Sequence, residues 1–556
     1  MKGERWQHKN WNNGNCLSTR VTHPKGFRQA LLLLVVPIFA VVLNFIIAKQ
    51  VSSRDSPTFP SDVVAPLIKT ENRTAVSVDP NMQLELGILT RQESSLNVSD
   101  EIVARRHIDG DSALSRMPIV NQKPLNVLVL YPDDWRHDSI GGLVPVLKTP
   151  FLNKLASEGI RFTHNCVTTS ICWISRATYF TGQYASRHKS MRLKTPHFYN
   201  QWNESWPALL QARGYYTGHV GKWQFKDFQK DFFNYTFVFE GSHWYRDGTY
   251  PNKRVHGSDY AKDKAIDFLQ TRPKDQPFAL NIAFFPPKAV GESKVPGAQW
   301  SPKVESMSLY VNDTIPPPHG SWEKLPWFFQ EKEKIARSRW RQRFEGDKKY
   351  QISMKNYYRL ITEVDAAIEK IVAEVETQGI LNQTLIIFTC DNGFFHGEHG
   401  LAGKWYPYQE SIRVPLIIRD PRMPESKRNT LDVSYTLNID LAPTILGAAG
   451  LRPTLRMQGR DISDLYLSSA SSLKENPWRT EFFYEWKLYN GLGFPMATAL
   501  VRRDFKYIRW PQFKYEQLFD LENDALENHD IVNETKYQEI LIEMRAGHNK
   551  LEPMVA

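Results

Sequence analysis

The chain has 556 residues, 41% of them hydrophobic and 12% aromatic, and its 70 Lys and Arg against 60 Asp and Glu give a formal net charge of +10. This composition excludes a disordered or collagen-like chain, and four cysteines are too few for a disulfide scaffold. The mean hydropathy of −0.46 excludes a polytopic membrane protein but not a single span. The mild basic excess is typical of a solvated surface, and we expect no nucleic-acid partner.

The first feature along the chain is an uncharged apolar run over residues 30–48. This run is long enough to cross a bilayer, because a spanning helix needs roughly 20 residues. Basic residues outnumber acids before it, so the positive-inside rule places residues 1–29 in the cytosol as a basic tail. The sequence therefore predicts a signal anchor over 30–48 and a single-pass type II membrane protein. Its body would lie in the secretory-pathway lumen or outside the cell. A long cleaved signal is the alternative.

N-glycosylation sequons agree with a luminal body. The pattern N-x-S/T occurs only after the apolar run, at Asn72, Asn97, Asn203, Asn234, Asn312, Asn382 and Asn533. Residues 49–123 are rich in Ser, Asp, Pro and Thr and show no sustained periodicity, which is typical of a largely disordered stalk.

The body alternates predicted strands with predicted helices. Apolar runs typical of buried parallel strands lie at Leu125–Tyr131, Tyr215–Val220, Phe278–Phe285, Leu385–Cys390 and Val414–Ile418. Apolar residues at helical spacing predict a long helix from about Lys355 to Thr377. This pattern predicts an α/β catalytic domain over residues 124–450, with a large, mostly parallel mixed sheet flanked by helices. Two further runs, Ala497–Val501 and Lys506–Trp510, predict a smaller α+β domain with an antiparallel sheet over 451–556.

Unusual polar residues follow four of these predicted strands. Asp133 and Asp134 follow the first, Asp391 and Asn392 another, and Lys222 and Lys288 come after the remaining two. Ligands of open α/β sheets bind outside the carboxyl ends of the strands. Carboxylate and amide oxygens suit Ca²⁺ or Mg²⁺ better than Zn²⁺, which prefers His or Cys. A lone Asp-Asp pair would indicate a turn, so the coincidence with Asp391-Asn392 carries the prediction of a metal site.

A short helix is predicted to begin at Cys172 and to end near Gly182. A helix N-terminus attracts anions and lowers the pKa of a thiol. Arg176 lies one turn further along, on the same face as Cys172. A lone cysteine is more often buried filler, but a cysteine with this arginine indicates a reactive position. By contrast, the basic stretch Glu331–Tyr350 is mixed with acids and favours a solvated helix over a substrate-binding patch.

These segments together resemble one family, the formylglycine-dependent sulfatases of the alkaline phosphatase superfamily. The resemblance extends from about Asn126 to Ile531 and keeps the family's order of motifs. The resembling segments are NVLVLYPDDW, CWISRATYFTGQ, GYYTGHVGKWQF, FTCDNGFFHGEHGLAGKWYPYQESIRVPLII and KYEQLFDLENDALENHDIV. The second resembles the signature C-x-P-S-R-x-x-x-x-T-G, and the fourth resembles the segment that brings Asp, Asn and a catalytic Lys.

The resemblance implies a sulfuric ester hydrolase that acts on sulfate esters, with a carbohydrate as the expected substrate. Cys172 would be oxidised by the formylglycine-generating enzyme and hydrated, and one hydroxyl would attack the sulfate sulfur. The metal ligands would be Asp133, Asp134, Cys172 as its formylglycine, Asp391 and Asn392, around Ca²⁺ or, alternatively, Mg²⁺. The catalytic cations would be Arg176, Lys222 and Lys404. The substrate-binding residues would be Lys222, Gln224, Lys288 and Lys404.

Three positions depart from the family pattern. The signature's Pro is Ile174, the His after G-K-W is Gln224, and the His after Pro-Pro is Lys288. Gln cannot act as a base, whereas Lys288 could assist the leaving oxygen if burial lowers its pKa. His219, His396 and His399 are candidate substitutes, although a structural role is the more ordinary one for each.

Two rival functions follow from these departures. A hydrolase of phosphate mono- or diesters in the same superfamily would use similar pocket charges, but the cysteine signature favours sulfate. A catalytically impaired member that binds anionic glycans would tolerate all three departures. The sequence leaves open the specific substrate, exo or endo action, the organelle, the oligomeric state and a disulfide between Cys166 and Cys390.

Overall fold

A large mixed sheet forms the centre of the protein in the computed structural model. The structure describes residues 124–190, 202–225, 230–246, 254–330, 335–487 and 494–556. The predicted cytosolic tail, anchor and stalk lie outside these residues. Across the described ranges, no helix combines the length and the apolar character that a membrane crossing requires.

The strands are numbered in chain order. They are β1 Asn126–Leu130, β2 Ile160–Cys166, β3 Tyr216–Gly221, β4 Tyr235–Val238, β5 Trp244–Arg246, β6 Arg254–His256, β7 Phe278–Ala283, β8 Thr384–Thr389, β9 Phe395–His396, β10 Ala402–Gly403, β11 Leu416–Arg419, β12 Thr430–Leu437, β13 Glu481–Trp486, β14 Ala497–Arg502, β15 Phe505–Trp510 and β16 Tyr515–Asp520.

The central sheet has eight strands in the order β12-β2-β11-β8-β1-β7-β3-β4. Strand β11 runs antiparallel to both of its neighbours, and every other pair in this sheet is parallel. The α/β prediction with a mostly parallel mixed sheet is therefore confirmed. All five predicted strands of the body are present, with ends shifted by one or two residues.

The helices are also numbered in chain order. They are α1 Pro150–Glu158, α2 Cys172–Thr181, α3 Ala185–His188, α4 Trp206–Ala212, α5 Gly257–Thr271, α6 Trp327–Gln330, α7 Ile335–Arg343, α8 Asp347–Thr377, α9 Gln409–Ile412, α10 Leu441–Ala448, α11 Asp464–Leu467, α12 Ala470–Glu475 and α13 Gln538–Met554.

Helices pack on both faces of the central sheet, so its central strands are buried on both sides. Alternate residues of a strand point to opposite faces. Leu128 of β1 accordingly belongs to a buried cluster that includes Ile361 of α8. Val129, the next residue, belongs to a second cluster that includes Leu209 of α4 and Ile445 of α10. The core thus has three layers, helix on sheet on helix.

A second, four-stranded antiparallel sheet lies near the carboxyl end of the chain, in the order β13-β14-β15-β16. Helix α13 packs on one face of it, where Leu541 and Met544 contact a cluster that includes Leu500. The other face contributes Tyr484 and Trp486 to the same buried cluster as the central sheet. The predicted antiparallel sheet is confirmed, and it packs directly against the larger sheet domain.

The cysteines in the described part of the chain are all free and buried: Cys166, Cys172 and Cys390. Cys390 Sγ accepts a hydrogen bond from the Trp135 amide at 3.0 Å and donates one to the Asn392 carbonyl at 3.2 Å. Cys166 and Cys390 therefore form no disulfide in this structure.

Candidate active site

The carboxyl ends of four neighbouring strands supply most of the site. Strands β8, β1, β7 and β3 lie side by side, and all four run parallel. The segments that leave these strands carry the residues Asp391 and Asn392, Asp133 and Asp134, Lys288, and Lys222, respectively. The predicted convergence of these side chains at one edge of the sheet is observed.

Asp133 is fully buried and is surrounded by cations. It accepts hydrogen bonds from Lys222 Nζ, from Lys288 Nζ at 2.9 Å and from Arg176 Nη2 at 3.5 Å. Burial raises the pKa of this carboxyl, but the positive charges of Lys222 and Lys288 outweigh that effect and hold the pKa well below its usual range. Asp133 is therefore ionised at neutral pH.

Asp134 joins the second half of the site. Its Oδ1 accepts hydrogen bonds from Asn392 Nδ2 at 2.6 Å and from Lys404 Nζ, and its Oδ2 accepts one from Lys288 Nζ at 3.1 Å. The backbone amide of Asp134 donates to Asp391 Oδ1 at 3.2 Å. The residue has a φ of 56°, a left-handed conformation that Asp tolerates better than most residues. This turn directs the two adjacent carboxylates towards one point.

Cys172 is the first residue of α2, as predicted, and its thiol lies among these charged groups. Sγ accepts hydrogen bonds from Lys404 Nζ at 2.8 Å and Lys288 Nζ at 3.3 Å, and it donates to Asp133 Oδ1 at 3.5 Å. Burial and the charge of Asp133 raise the pKa of the thiol more than the lysines lower it. The expectation of a lowered thiol pKa was therefore wrong, because desolvation by burial is the largest effect on this group.

Arg176 lies one turn along α2 and faces the same point. Its Nε and Nη2 contact Asp391 Oδ2 at 3.0 and 2.9 Å, and its Nη1 donates to the Lys222 carbonyl at 3.2 Å. The guanidinium carbon lies 5.2 Å from the centre of the Tyr131 ring. These contacts fix a fully buried cation beside the thiol-bearing end of the helix.

The oxygen donors fit a hard divalent cation. The ligand atoms of Asp133, Asp134, Cys172 and Asp391 all lie within 4.8 Å of one another. Asn392 Oδ1 is buried and has no hydrogen-bond partner in the described part of the chain. An unpartnered amide oxygen next to three carboxylates is a suitable ligand set for Ca²⁺ or Mg²⁺, and the absence of histidine from this set argues against Zn²⁺.

The site carries more basic than acidic groups. Its acids are Asp133, Asp134 and Asp391, and its bases are Arg176, Lys222, Lys288 and Lys404. Three carboxylates against four cations leave a net charge of +1 when all are ionised, and a divalent ion would add to it. A buried pocket of this sign favours an anionic ligand.

A cavity of ≈ 540 Å³ adjoins these groups. Lys222, Gln224, Glu240, Phe285 and Lys288 are among its lining residues. Gln224 Oε1 is buried and has no partner among the residues described, and the residue has a φ of 71°. The volume suits a small organic ligand, and an aromatic wall beside polar groups is common in such pockets.

Lys288 does not have the lowered pKa on which an acid role would depend. Burial lowers the pKa of its ammonium group, but Asp133 and Asp134 outweigh burial and raise the pKa well above its ordinary value. In this arrangement Lys288 is a fixed positive charge in contact with both carboxylates and the thiol.

The three candidate histidines lie elsewhere. His219 packs against the Trp223 ring and contacts Asn281 Nδ2 at 3.0 Å, and burial lowers its pKa to about 3. Burial likewise lowers the pKa values of His396 and His399, whose electrostatic neighbours include Glu410. None of the three has a hydrogen bond to Cys172, Asp133 or Asp134 among the contacts described.

Several supporting residues were not predicted from the sequence. The Tyr357 hydroxyl donates to the Asp134 carbonyl at 2.9 Å. Arg343, from the basic stretch interpreted as solvated, is instead buried, and its Nη2 donates to the carbonyl of Gly291 in the cavity wall at 3.4 Å. The Tyr484 hydroxyl, from the second sheet, bonds Ser170 Oγ at 2.7 Å and the Trp405 carbonyl at 2.9 Å. Each of these contacts joins distant segments, which periodicity does not reveal.

Comparison with known proteins agrees with this site. The family model described as Sulfatase matches residues 125–451, and the model described as N-sulphoglucosamine sulphohydrolase, C-terminal, matches residues 397–553. The first match covers more than half of the chain, so this protein belongs to the sulfatase family, as its motifs predicted.

Individual relatives are distant but extensive. An N-acetylglucosamine-6-O-sulfatase of Bacteroides thetaiotaomicron is 26% identical over 478 residues, which cover 74% of this chain and 83% of that protein. A solved structure of a protein in complex with its substrate D-glucosamine-2-N,6-O-disulfate is 21% identical, with a TM-score of 0.65, and the match covers 78% of this chain and 98% of that one. A phosphonate monoester hydrolase from Silicibacter pomeroyi is 20% identical, with a TM-score of 0.64 and coverages of 78% and 96%. The two structures establish the fold.

Proposed function

We propose that this protein hydrolyses sulfate esters of a carbohydrate, with a formylglycine formed from Cys172 as its nucleophile. The observation that carries the proposal is the position of Cys172. Its side chain lies where Asp133, Lys288 and Lys404 meet, at the edge of the sheet where the metal-ligand candidates converge. The raised pKa of the thiol disfavours the unmodified cysteine as a nucleophile.

Two groups, formylglycine and a divalent cation, would supply part of the chemistry. Formylglycine provides a nucleophilic hydroxyl from its hydrate, and Ca²⁺ or Mg²⁺ provides Lewis-acid charge at the same point. Asp133, Asp134, Asp391 and Asn392 would hold the ion together with residue 172.

The chain's own cations bind the sulfate group and stabilise its developing charge. Lys404 and Lys288 contact residue 172 directly. Lys222 donates a hydrogen bond to Asp133 Oδ2, the carboxylate oxygen that Lys288 does not contact. Arg176 is fixed by Asp391 and keeps its fork oriented. Because these charges are positioned before substrate arrives and are shielded from water, each favours the transition state without reorganisation.

Gln224 and Lys288 change the acid–base part of the reaction. Gln224 can donate a hydrogen bond to an oxyanion but cannot accept a proton at neutral pH. Lys288 can neutralise the leaving oxygen by charge, and its raised pKa disfavours full proton transfer. We therefore expect a sulfatase whose turnover is limited by the step that a histidine would otherwise assist.

The cavity and one sequence relative support a carbohydrate as the leaving group. A cavity of ≈ 540 Å³ with Glu240, Gln224 and Phe285 on its wall offers hydroxyl partners and an apolar face for a sugar. The Bacteroides relative is named for a 6-O-sulfated N-acetylglucosamine. A sulfated amino sugar is therefore the first substrate class to test.

We further propose that residues 30–48 anchor the protein and that its body lies in the lumen or outside the cell. The sequon asparagines that the structure describes are Asn203, Asn234, Asn312, Asn382 and Asn533, and all of them are exposed. Exposure is a requirement for glycosylation, so this observation supports a secretory setting, which is also where the formylglycine-generating enzyme would act.

The direct test compares matched esters. The full chain from a eukaryotic secretory host is incubated with N-acetylglucosamine 6-sulfate and with N-acetylglucosamine 6-phosphate, alongside Cys172→Ala. We expect sulfate release by the wild type and none by the variant. Release of phosphate in preference to sulfate would favour the phosphoester hydrolase. Binding of the sulfated sugar without release would favour the impaired glycan-binding protein.

A further inference from the structure

A second polar cluster lies outside the site described above. It consists of His319, His399 and Glu410, which come from three separate segments. His319 lies in the segment before α6, His399 lies between β9 and β10, and Glu410 lies in α9. Their candidate ligand atoms all lie within 4.8 Å of one another.

The separations between these atoms are close to the edges of a metal coordination shell. His319 Nε2 lies 3.0 Å from Glu410 Oε1, and His399 Nε2 lies 3.9 Å from Glu410 Oε2. Two donors at ordinary Zn–N and Zn–O distances in a tetrahedral shell are about 3.3–3.5 Å apart. The two measured distances bracket this value, so small side-chain movements would complete the shell.

Hydrogen bonding within the protein accounts for only half of the cluster. The His319–Glu410 contact is a good hydrogen bond, but His399 Nε2 and Glu410 Oε2 are buried without hydrogen-bond partners among the described residues. His399 is 2% exposed and Glu410 is 4% exposed. Leaving both a ring nitrogen and a carboxylate oxygen unsatisfied in the interior destabilises the fold, and a shared cation would remove that cost.

We propose that His319, His399 and Glu410 bind a divalent transition-metal ion, with Zn²⁺ as the expected metal and water as the fourth ligand. Two imidazoles and a carboxylate suit Zn²⁺, whereas the carboxylate and amide oxygens around Asp133 suit Ca²⁺. His319 is partly exposed, with 27% of its side chain accessible, which gives the ion and its water a route to solvent. The two sites would therefore select different metals.

The backbone around the cluster is arranged for close approach. Gly320, directly after His319, has a φ of 77°, and a Cβ on it would lie 2.7 Å from His399 Nδ1. The His399 amide also donates to the His319 carbonyl at 3.0 Å. These contacts hold the two imidazole-bearing segments together before any ion binds.

The ion would restrict the motion of two active-site segments, the one that carries Lys404 and the one that carries Asn392. Lys404 lies between His399 and Glu410 in the sequence, and the amide of Gly393, next to Asn392, donates to the carbonyl of Ser411, next to Glu410, at 3.0 Å. A metal that fixes His399 to Glu410 would restrict the segment that carries Lys404. The metal content of this site does not depend on the sulfatase activity proposed above, so the two proposals can fail separately.

The test measures metal content in the purified full chain. Protein stripped with a chelator is reloaded with Zn²⁺, dialysed, and assayed for bound zinc by mass spectrometry; a parallel sample receives Co²⁺ for its visible absorption spectrum. The variants are His319→Gln and Glu410→Gln, with His164→Gln as a matched control, because His164 is a half-buried histidine that contacts Thr163. Asp391→Asn removes a ligand of the other site.

We expect one equivalent of zinc and a tetrahedral Co²⁺ spectrum in the wild type, His164→Gln and Asp391→Asn. In His319→Gln and Glu410→Gln the apparent zinc affinity should fall by more than about 100-fold, beyond the loss seen when a residue that only supports a ligand is changed. A folded wild type that binds no zinc would overturn the proposal, as would full zinc retention by both ligand variants or zinc loss confined to Asp391→Asn. A folded wild type without bound zinc overturns the proposal even if a variant fails to fold.

Discussion

Lys404 Nζ lies 2.8 Å from Cys172 Sγ, although 232 positions separate the two residues in the chain. The contact exists because the segment after β10 returns to the edge of the sheet where α2 begins. Lys404 also donates a hydrogen bond to Asp134, so one ammonium group connects the nucleophile position with the candidate metal ligands.

Replacing Lys404 should therefore impair turnover more than folding. For Lys404→Met we expect kcat to fall by about 10²–10³-fold, the usual effect of removing one preorganised electrostatic group. Lys370→Met, at an exposed position on α8, is the control and should leave kcat unchanged. Equal activities of the two variants in a sulfate-release assay would contradict a catalytic role for Lys404.

Tyr484 should act as a positioning residue. Its hydroxyl bonds Ser170, two residues before Cys172, and Trp405, next to Lys404. Tyr484→Phe removes the hydroxyl that donates to the buried Trp405 carbonyl, whereas Ser170 Oγ keeps a hydrogen bond from Ser411 Oγ at 2.9 Å, and we expect a loss of about 1–3 kcal/mol in the free energy of unfolding. Because both active-site segments then lose a common tether, kcat should also fall while KM changes little.

The matched control is Tyr406→Phe. The Tyr406 hydroxyl is buried without a partner among the described residues, so its removal should be neutral or slightly stabilising. Urea unfolding of the two variants compares them directly. If Tyr406→Phe loses as much stability as Tyr484→Phe, the hydrogen bonds are not the cause.

Gln224→His should restore a proton acceptor to the cavity. Gln224 has a φ of 71°, and histidine is one of the residues that tolerate this left-handed region. We expect kcat to rise by about 10–100-fold, with a new pH dependence near the ordinary histidine pKa of about 6.5. Gln224→Asn, which has the same chemistry as the wild type, should show neither change. A flat pH profile for Gln224→His would contradict the placement of Gln224 beside the reacting group.

Removal of the divalent ion should lower thermal stability. An ion that binds only the folded state stabilises it by about 2.7 kcal/mol at 100 times its Kd. We expect Ca²⁺ to raise Tm of the chelated wild type in a concentration-dependent manner and to leave Tm of Asp391→Asn unchanged at the same concentrations. A Ca²⁺-dependent shift of equal size in that variant would place the binding elsewhere.

Glu363 predicts a pH dependence of stability away from the site. Burial raises the pKa of this carboxyl to about 7 from its ordinary 4.5, although the Lys303 amide donates to it at 2.7 Å. A raised pKa in the folded state gives stability that is complete below about pH 4.5 and is lost as the pH rises through 7.

Glu363→Gln removes this ionisation. Relative to the wild type, the variant should therefore gain stability as the pH rises from about 4.5 to 7, by up to about 1 kcal/mol per pH unit. Glu369→Gln, an exposed change on the same helix, should run parallel to the wild type. Urea unfolding across this pH range measures the difference, and parallel curves for Glu363→Gln would show that the carboxyl is ionised in the fold.

The sequence predicted the parts of the structure that depend on local pattern. The apolar run before Asp133 and the run before Asp391 both form central strands, and parallel strands bring their ends together. The half-exposed strand Thr430–Leu437 was not predicted, because it has no continuous apolar run. The same reason applies to Ile160–Cys166, where polar residues interrupt the pattern.

Tertiary contacts and the energetic effects of burial could not be predicted from the sequence. Cys172 was placed correctly at a helix start, but its pKa shift had the opposite sign because desolvation depends on the surroundings of α2. The cluster of His319 with Glu410 joins positions about 90 residues apart, and this separation is not a ligand spacing from which a metal site could be predicted. The order of the motifs was enough to predict the site residues. The pKa shifts of these residues depend on burial and on neighbouring charges, which only the folded structure gives.

The chemical state of residue 172 tests the central claim most directly. The proteolytic peptide that contains this position, from the full chain made in a secretory host, is analysed by mass spectrometry together with the sulfate release of the same preparation. We predict an aldehyde in place of the thiol, with sulfatase activity proportional to the aldehyde fraction. An unmodified thiol throughout the preparation, accompanied by sulfate release, would contradict the account.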